Sequence, residues 1–292
     1  MQLEIDPAQL ADIEKFERML ARNLAGELDD DVFRVFRLNN GVYGQRQGGH
    51  NQMLRVKVPY GKLTPELIDR QAYGWDDEHR AMPQVVSITQ STELGTLYTP
   101  AEIRAICEHA HAHGMTVHLD GSRIANAAAS LDVPMRTFTN AAGVDLLSLG
   151  GTKNGAVFGE AVVVINPDAV RHMKHLRKLS MQLASKMRFV SVQLEALLAK
   201  DLWLRNARHS NEMAQRLAEG VRAVHGVEIL HPVQANAVFA QLPHDVAERL
   251  QKKFRFYFWD EAAGVVRWMC SFDTREDDVD AFVAALKEEM AR

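Results

Sequence analysis

The run Leu147-Ser-Leu-Gly-Gly-Thr-Lys153-Asn-Gly155 joins a short apolar strand to a loop of small residues that contains one lysine. A similar run, Val117-His-Leu-Asp-Gly-Ser-Arg123, has its aspartate 33 residues before that lysine. Strands and helices alternate around both runs, which is typical of an α/β fold with a mostly parallel sheet and helices on both faces. Ligands of such sheets bind beyond the carboxyl ends of the strands. Asp120 and Lys153 are therefore expected to lie close together there.

An aspartate and a lysine in these positions suit the chemistry of pyridoxal phosphate (PLP). A lysine amine forms a Schiff base with the aldehyde of this cofactor. A carboxylate holds the pyridine nitrogen protonated, so that the ring can drain electrons from a substrate carbanion. The small residues Gly150, Gly151 and Gly155 would let the chain pass close to the bound cofactor. Taken alone, the pair is weak evidence, because a surface lysine and an unrelated strand-end acid at this spacing are more common among α/β proteins.

Local signals predict an alternating order of elements from residue 84 onward. Strands are predicted at residues 85–89, 115–120, 145–149, 161–165, 227–230, 237–242, 254–258 and 265–269. Helices are predicted at residues 100–113, 122–131 and 277–290, and residues 167–225 are expected to be largely helical. Thr99 is a candidate N-cap of the first helix, and Gly114 is its stop signal. The last third of the chain is therefore expected to form a small α+β domain.

From about Gly61 to Arg292 the chain resembles the threonine aldolase and β-eliminating lyase family of PLP enzymes, which have the aspartate-aminotransferase fold. The resemblance rests on the runs at residues 61–67, 85–98, 117–123, 148–156, 177–188, 234–238 and 266–274. It implies a carbon–carbon lyase of the threonine aldolase type. Such an enzyme cleaves L-threonine or a related β-hydroxy-α-amino acid to glycine and an aldehyde.

The same resemblance implies the residues of the site. PLP is expected to be covalently bound to Lys153, and the other cofactor contacts implied are Asp120, Arg123, Thr152 and Arg188. Arg267 matches a position that holds the substrate α-carboxylate. Each role has a structural alternative, because Arg123 could form a surface ion pair and Arg267 could be an outward residue of a half-buried strand. The basic run that contains Arg188 could be a solvated helix face.

Residues 1–60 differ from the remainder in composition. Residues 1–31 carry nine acidic and three basic side chains, whereas residues 32–62 carry six lysines or arginines and no acid. A helix is predicted at residues 7–25. Short strands are predicted at residues 32–38, 42–47 and 53–58, separated by turns at residues 39–41 and 48–51. Residues 36–61 resemble the N-terminal ferredoxin-like half domain of sirohaem nitrite and sulfite reductases. That resemblance implies anion-binding basic strands with Arg37, Arg46 and Arg55.

The two resemblances together imply a chimera joined near Gly61. We expect a reductase-like segment at residues 1–60, a truncated PLP-binding large domain at 61–170, and a helical connection with the small domain at 171–292. The family's phosphate cradle and ring-stacking side chain belong to the part that residues 1–60 replace. An unpaired sheet edge is expected there unless the N-terminal segment covers it. An inactive chimera or fragment, or a sirohaem-binding segment, is the alternative function.

Composition sets the remaining expectations. The chain has a formal net charge of −4, which argues against nucleic-acid binding, and no apolar run long enough to span a membrane. Two cysteines far apart in sequence fit a cytoplasmic location. The expected partners are a small amino acid substrate and further copies of the chain in a homo-oligomer. His109, His111 and His113 lack the glutamate of a zinc-protease motif, so no metal site is expected.

Overall fold

The computed structural model describes residues 41–45, 51–55, 58–75, 77, 79 and 82–292. Its strands are β1 (Gly41–Gln45), β2 (Asn51–Arg55), β3 (Met82–Thr89), β4 (Thr116–Gly121), β5 (Leu146–Gly150), β6 (Glu160–Val164), β7 (Glu228–Ile229), β8 (Ala237–Gln241), β9 (Tyr257–Asp260) and β10 (Val265–Met269). Its α-helices are α1 (Pro65–Asp69), α2 (Pro100–Ala112), α3 (Ile124–Leu131), α4 (Met173–Leu179), α5 (Arg188–Leu198), α6 (Leu202–Arg222), α7 (His244–Gln251) and α8 (Glu276–Met290). No helix in these ranges is long and apolar enough to cross a membrane. The predicted helix at residues 7–25 and strand at 32–38 lie outside the described residues.

A six-stranded sheet has the order β2-β1-β3-β4-β5-β6. Strands β3, β4 and β5 run parallel, as predicted. The outer strands on both sides of this parallel core pair antiparallel, so the whole sheet is mixed. The reason is the length of the connections, because a parallel crossover needs a dozen or more residues. Only residues 151–159 separate β5 from β6, and only residues 46–50 separate β1 from β2.

The hairpin of β1 and β2 occupies the side of β3 that does not pair with β4. Residues Val42 and Val86 are partners in the antiparallel ladder between β1 and β3. The edge that we expected to find unpaired is therefore covered, because backbone groups of the hairpin satisfy those of β3. Gln45 and Asn51 are partners in the ladder between β1 and β2, while residues 48–50 of the predicted turn lie outside the described residues.

The core beside this sheet forms around β3, β4 and α2. Val86, Val117 and Leu119 are fully buried, and so is Ile103 of α2. Helix α2 begins with the predicted cap, since the Thr99 hydroxyl accepts from the Glu102 N–H and the Glu102 carboxylate accepts from the Thr99 N–H. Gly114 ends it with a φ of +73°, which glycine adopts without strain. The packed helix fixes the strand that carries Asp120.

A second sheet, in the order β7-β8-β10-β9, is antiparallel throughout and packs with α6, α7 and α8. Strand β10 lies at residues 265–269, as predicted. Helix α7 was not predicted, and the strand expected at residues 254–258 starts later. The N–H groups of Lys253 and Phe254 both donate to the Leu250 carbonyl, so these residues finish α7 before β9 begins.

Candidate active site

Asp120 lies at the carboxyl end of β4, between the ends of two parallel neighbours. It pairs with Thr89 of β3 on one side and with Ser148 of β5 on the other. Its Oδ1 accepts from the Ser122 N–H at 2.9 Å and from the Ser122 hydroxyl at 2.6 Å. This local turn holds the carboxylate at the strand end, as Asp side chains do in Asx-turns.

Arg123 follows directly, at the start of α3, and is half-buried. Burial lowers the pKa of its guanidinium, and among the nearby charges Glu93 raises it, Arg267 lowers it and Asp120 raises it. Electrostatic effects of this kind act over short distances in a partly desolvated site. The structure thus brings Asp120 and Arg123 within electrostatic range of Glu93 and Arg267, which are far from them in the sequence.

Lys153 lies in a short 3-10 turn, Thr152–Asn154, immediately after β5. Desolvation lowers the pKa of its amine, and Arg123 lowers it further, whereas Asp120, Glu93 and Glu160 raise it. The lysine therefore belongs to the same group of charges. A lowered pKa increases the neutral fraction of the amine, which is the nucleophilic form.

Polar contacts position the loop that carries Lys153. The carboxylate of Glu160 accepts from the Gly151 N–H at 3.0 Å and from the Thr152 N–H at 3.2 Å. The Asn154 side chain donates to the Trp203 carbonyl at 2.9 Å, and the Asn206 side chain of α6 donates to the Asn154 carbonyl at 2.8 Å. Helix α6 and strand β6 thus anchor the turn on both sides of the lysine.

Gly150, the last residue of β5, is required by the packing of the protein itself. A Cβ on Gly150 would lie 2.8 Å from the Ser122 backbone, which is too close for any side chain. The end of β5 and the loop after Asp120 can therefore approach each other only because residue 150 is glycine. The role of Gly150, Gly151 and Gly155 beside a bound cofactor stays a prediction.

Arg267 faces the same group of charges from β10. Its Nη1 lies 3.7 Å from Glu93 Oε2, and its guanidinium lies 5.1 Å from the centre of the Trp259 ring. The cation–π contact and the carboxylate both hold the arginine in place. Sequence reasoning missed Glu93. Glu93 lies just beyond the carboxyl end of β3, within the run at residues 85–98. Its position after a strand end is the sequence signal that would have identified it.

Two other expected site residues are placed differently. Thr152 is exposed beside Lys153, and its backbone N–H is engaged by Glu160. Arg188 is exposed at the start of α5, with its guanidinium 5.5 Å from the centre of the Phe189 ring. Within the described part of the chain, these contacts do not join Arg188 to the charges around Lys153. The cofactor roles of both residues stay predictions.

This fold and this set of charges define a class of protein. A model of the beta-eliminating lyase family matches residues 33–244, and the chain belongs to that family. Members of the family hold PLP through a lysine. Because the match includes residues 33–60, the comparison gives no support to a separate reductase origin of that stretch.

Curated relatives and solved structures agree with the family. The chain is 40% identical over 242 residues to the low specificity L-threonine aldolase of Pseudomonas sp. (strain NCIMB 10558), covering 82% of this chain and 70% of that protein. It is 42% identical over 225 residues to that of Pseudomonas aeruginosa, covering 77% and 65%. The structure of Leishmania major threonine aldolase superposes with a TM-score of 0.76 at 30% identity, covering 83% and 71%. The chain thus spans about two thirds of the length of these curated relatives.

Proposed function

We propose that the protein is a PLP-dependent carbon–carbon lyase of the threonine aldolase type. Its substrate is L-threonine or a related β-hydroxy-α-amino acid, and its products are glycine and an aldehyde. The observation that carries this proposal is the convergence of Asp120, Arg123 and Lys153 beyond the carboxyl ends of β4 and β5. The family and its aldolase-named members support the same activity.

Two of these residues suit the two reactive groups of PLP, its aldehyde and its pyridine nitrogen. The Lys153 amine, with its lowered pKa, is suited to attack the cofactor aldehyde. The Asp120 carboxylate is suited to hold the proton of the pyridine nitrogen, and Ser122 keeps that carboxylate oriented. Bound PLP supplies an electron sink for the bond to the substrate α-carbon. Arg123 and Thr152 would contact the cofactor in this arrangement, and Arg188 is proposed from the family resemblance.

Arg267 is proposed to bind the substrate α-carboxylate. Its guanidinium is half-buried beside the Trp259 ring and at 3.7 Å from Glu93. An incoming carboxylate would take the position of charge partner that Glu93 holds in this structure, with the bidentate geometry that arginine favours. Glu93 then lies beside the bound amino acid, within electrostatic range of Lys153.

A PLP titration tests the proposal. The parent protein is expected to gain an absorbance band in the visible that the variant Lys153→Ala does not gain. Lys287→Ala, which removes an exposed lysine of α8, is the matched control and should behave as the parent. Release of aldehyde from L-threonine by the parent, and its loss in Lys153→Ala, would then establish the activity. A folded parent protein without a Lys153-dependent band would overturn the proposal.

The assembly and location follow from the same proposal. We propose a cytoplasmic homo-oligomer, because apolar side chains near Lys153 are exposed, among them Val157 at 84% and Phe158 at 54%. Exposed apolar groups of this kind are commonly buried by a second subunit. Cys107 and Cys270 are both buried and free, which suits a reducing compartment.

The reductase-like alternative concerns the N-terminal segment. Arg37 and Arg46 lie outside the described residues, and Arg55 ends β2. Sirohaem binding that depends on these three arginines would support this alternative. A sirohaem titration of the full chain that gives no spectral change would remove it.

A further inference from the structure

Three side chains that bind metals in other proteins converge away from the lysine site. Asp69 ends α1, while His109 and His113 lie one turn apart at the end of α2. One ring nitrogen of each histidine and one carboxylate oxygen of Asp69 lie within 4.8 Å of one another. In the described part of the chain, this is the one group of three or more such residues with that spacing.

The structure fixes the protonation of one of these histidines. His113 Nδ1 lies 2.9 Å from the His109 carbonyl oxygen, which can only accept a hydrogen bond. Nδ1 therefore carries the proton, and the neutral ring keeps a lone pair on Nε2. A metal-binding histidine commonly donates its other ring N–H to a backbone carbonyl in this way. The Trp75 ring stacks on His113, with centroids 5.9 Å apart.

The geometry is close to that of a three-ligand zinc site. Zinc bonds of about 2.0–2.1 Å in a tetrahedral arrangement place ligand atoms roughly 3.3 Å apart. His109 Nε2 and Asp69 Oδ1 are 2.7 Å apart in this structure. Small side-chain rotations would bring the three atoms to the required spacing, because Asp69 is 57% exposed and free to turn.

The neighbouring pair of His111 and Asp145 makes a purely structural contact and serves as a comparison. His111 Nε2 lies 2.8 Å from Asp145 Oδ2, but that carboxylate is buried and also accepts from the Val117 N–H and from the Asn166 side chain. Its oxygens are occupied by the protein. Asp69 is instead exposed to solvent and has a second imidazole next to the first.

We propose that Asp69, His109 and His113 bind a divalent transition-metal ion of the zinc type, with the remaining coordination position open to water. Two imidazoles and one carboxylate are a ligand set that Zn²⁺, Co²⁺ and Ni²⁺ share. The ion replaces the hydrogen bond between His109 and Asp69 and joins α1 to the end of α2. The sequence offered only the histidines, since the aspartate is 40 residues away from His109.

Calorimetric titration of the untagged full chain with Zn²⁺ tests this site. One tight site is expected in the parent, with affinity reduced in His113→Gln and in Asp69→Asn at least on the order of tenfold, the loss that even an outer partner of a metal ligand can cause. His225→Gln removes an exposed histidine elsewhere and should leave the affinity unchanged. Cys107 and Cys270 are both buried, so neither thiol is open to a metal ion from solvent, and burial raises the pKa of each to about 12.

Two further readouts locate the ion. Ni²⁺ is expected to quench the fluorescence of Trp75, and this part of the quenching should vanish in Trp75→Phe. The melting temperature should rise with Zn²⁺ in the parent and not in Asp69→Asn. Asp69→Asn changes an exposed side chain, so its fold is expected to remain intact in circular dichroism. Equal affinities of the parent, Asp69→Asn and His113→Gln would overturn the proposal.

Discussion

The charged groups around the candidate active site come from two regions that are held in different ways. Asp120 and Arg123 stand at the junction of β4 and α3, where Leu119 and Ile124 are almost fully buried. A close-packed core leaves such backbone little freedom. The acid and the arginine are therefore fixed before any ligand arrives.

The loop with Lys153 is held by polar contacts at the protein surface. Its neighbours Val157 and Phe158 are exposed, while Glu160 and Asn206 hold its backbone. Surface polar contacts contribute less to stability than core packing does. The side of the site with Asp120 and Arg123 is thus rigid because it is buried. The position of Lys153 depends instead on a few hydrogen bonds and on the groups that cover its loop.

The largest expected effect comes from the rigid side. Asp120→Asn keeps the shape of the side chain but removes the charge that we propose holds the pyridine proton. The rate of aldehyde release from L-threonine should fall on the order of 10³-fold, because electrostatic stabilisation of the developing charge is lost. Asp168→Asn, at an exposed position, is the control. A rate near that of the parent would show that Asp120 does not face the ring nitrogen.

The second-largest expected difference between the two regions is their contribution to the free energy of unfolding. Ile124→Ala removes a buried side chain of α3 and is expected to reduce the free energy of unfolding by about 2–5 kcal/mol. Phe158→Ala, in the exposed loop, should change it by no more than about 0.5 kcal/mol at protein concentrations where the chain is monomeric and no second subunit covers the loop. Urea denaturation of both variants measures the difference. Equal losses would mean that the loop is packed as tightly as α3.

Lowering the pH should destabilise the region of β4 and α3 through protonation of His118. Burial between Ser87 and Ser148 lowers its pKa to about 4, although the charge of Asp120 opposes this. The unfolded chain has a histidine pKa of about 6.5 and so takes up a proton between pH 6.5 and 4 that the folded chain does not. The contribution of His118 to the free energy of unfolding should therefore decrease as the pH is lowered through this window, by up to ~3 kcal/mol.

The variant His118→Asn checks this pH dependence. It should flatten the slope between pH 6.5 and 4 in urea denaturation, because the residue no longer titrates. His225→Gln, which removes an exposed histidine, should keep the parent slope. A parent protein whose stability is constant across this window would contradict the assignment.

The smallest effect is expected on the loop side. Glu160 raises the pKa of Lys153, so Glu160→Gln should lower that pKa further. The pH at which PLP attaches to the lysine is expected to shift downward by less than about one unit. A pH series of the visible absorbance measures the shift, with Glu261→Gln as an exposed control. An upward shift would mean that Glu160 acts on the loop geometry rather than on the charge.

Local sequence signals predicted the elements that carry the site well. Thr99 and Gly114 marked the ends of α2, and strand alternation put Asp120 and Lys153 beyond the ends of neighbouring strands. These features depend on residues close together in the chain. Helix α7 was missed because it has only eight residues and lies between two short strands, β8 and β9.

The unpredicted parts of the two sites come from long-range contacts. Glu93 meets Arg267 only because the second sheet packs near the end of β3. Asp69 meets His109 across two helices. Neither pair leaves a periodic pattern in the sequence. The β-type runs of the hairpin were predicted, but their pairing with β3 was not, since strand partners are chosen by the folded sheet.

The hairpin of β1 and β2 joins the six-stranded sheet through the outer side of β3. Its ladder is made of backbone N–H and C=O groups, which every residue except proline offers in the same form. A replacement hairpin of unrelated sequence would satisfy the same donors and acceptors. Asp120 lies on the other side of β3 and would keep its place. The hairpin can therefore be replaced during evolution without a change in the strand ends that carry the charged residues.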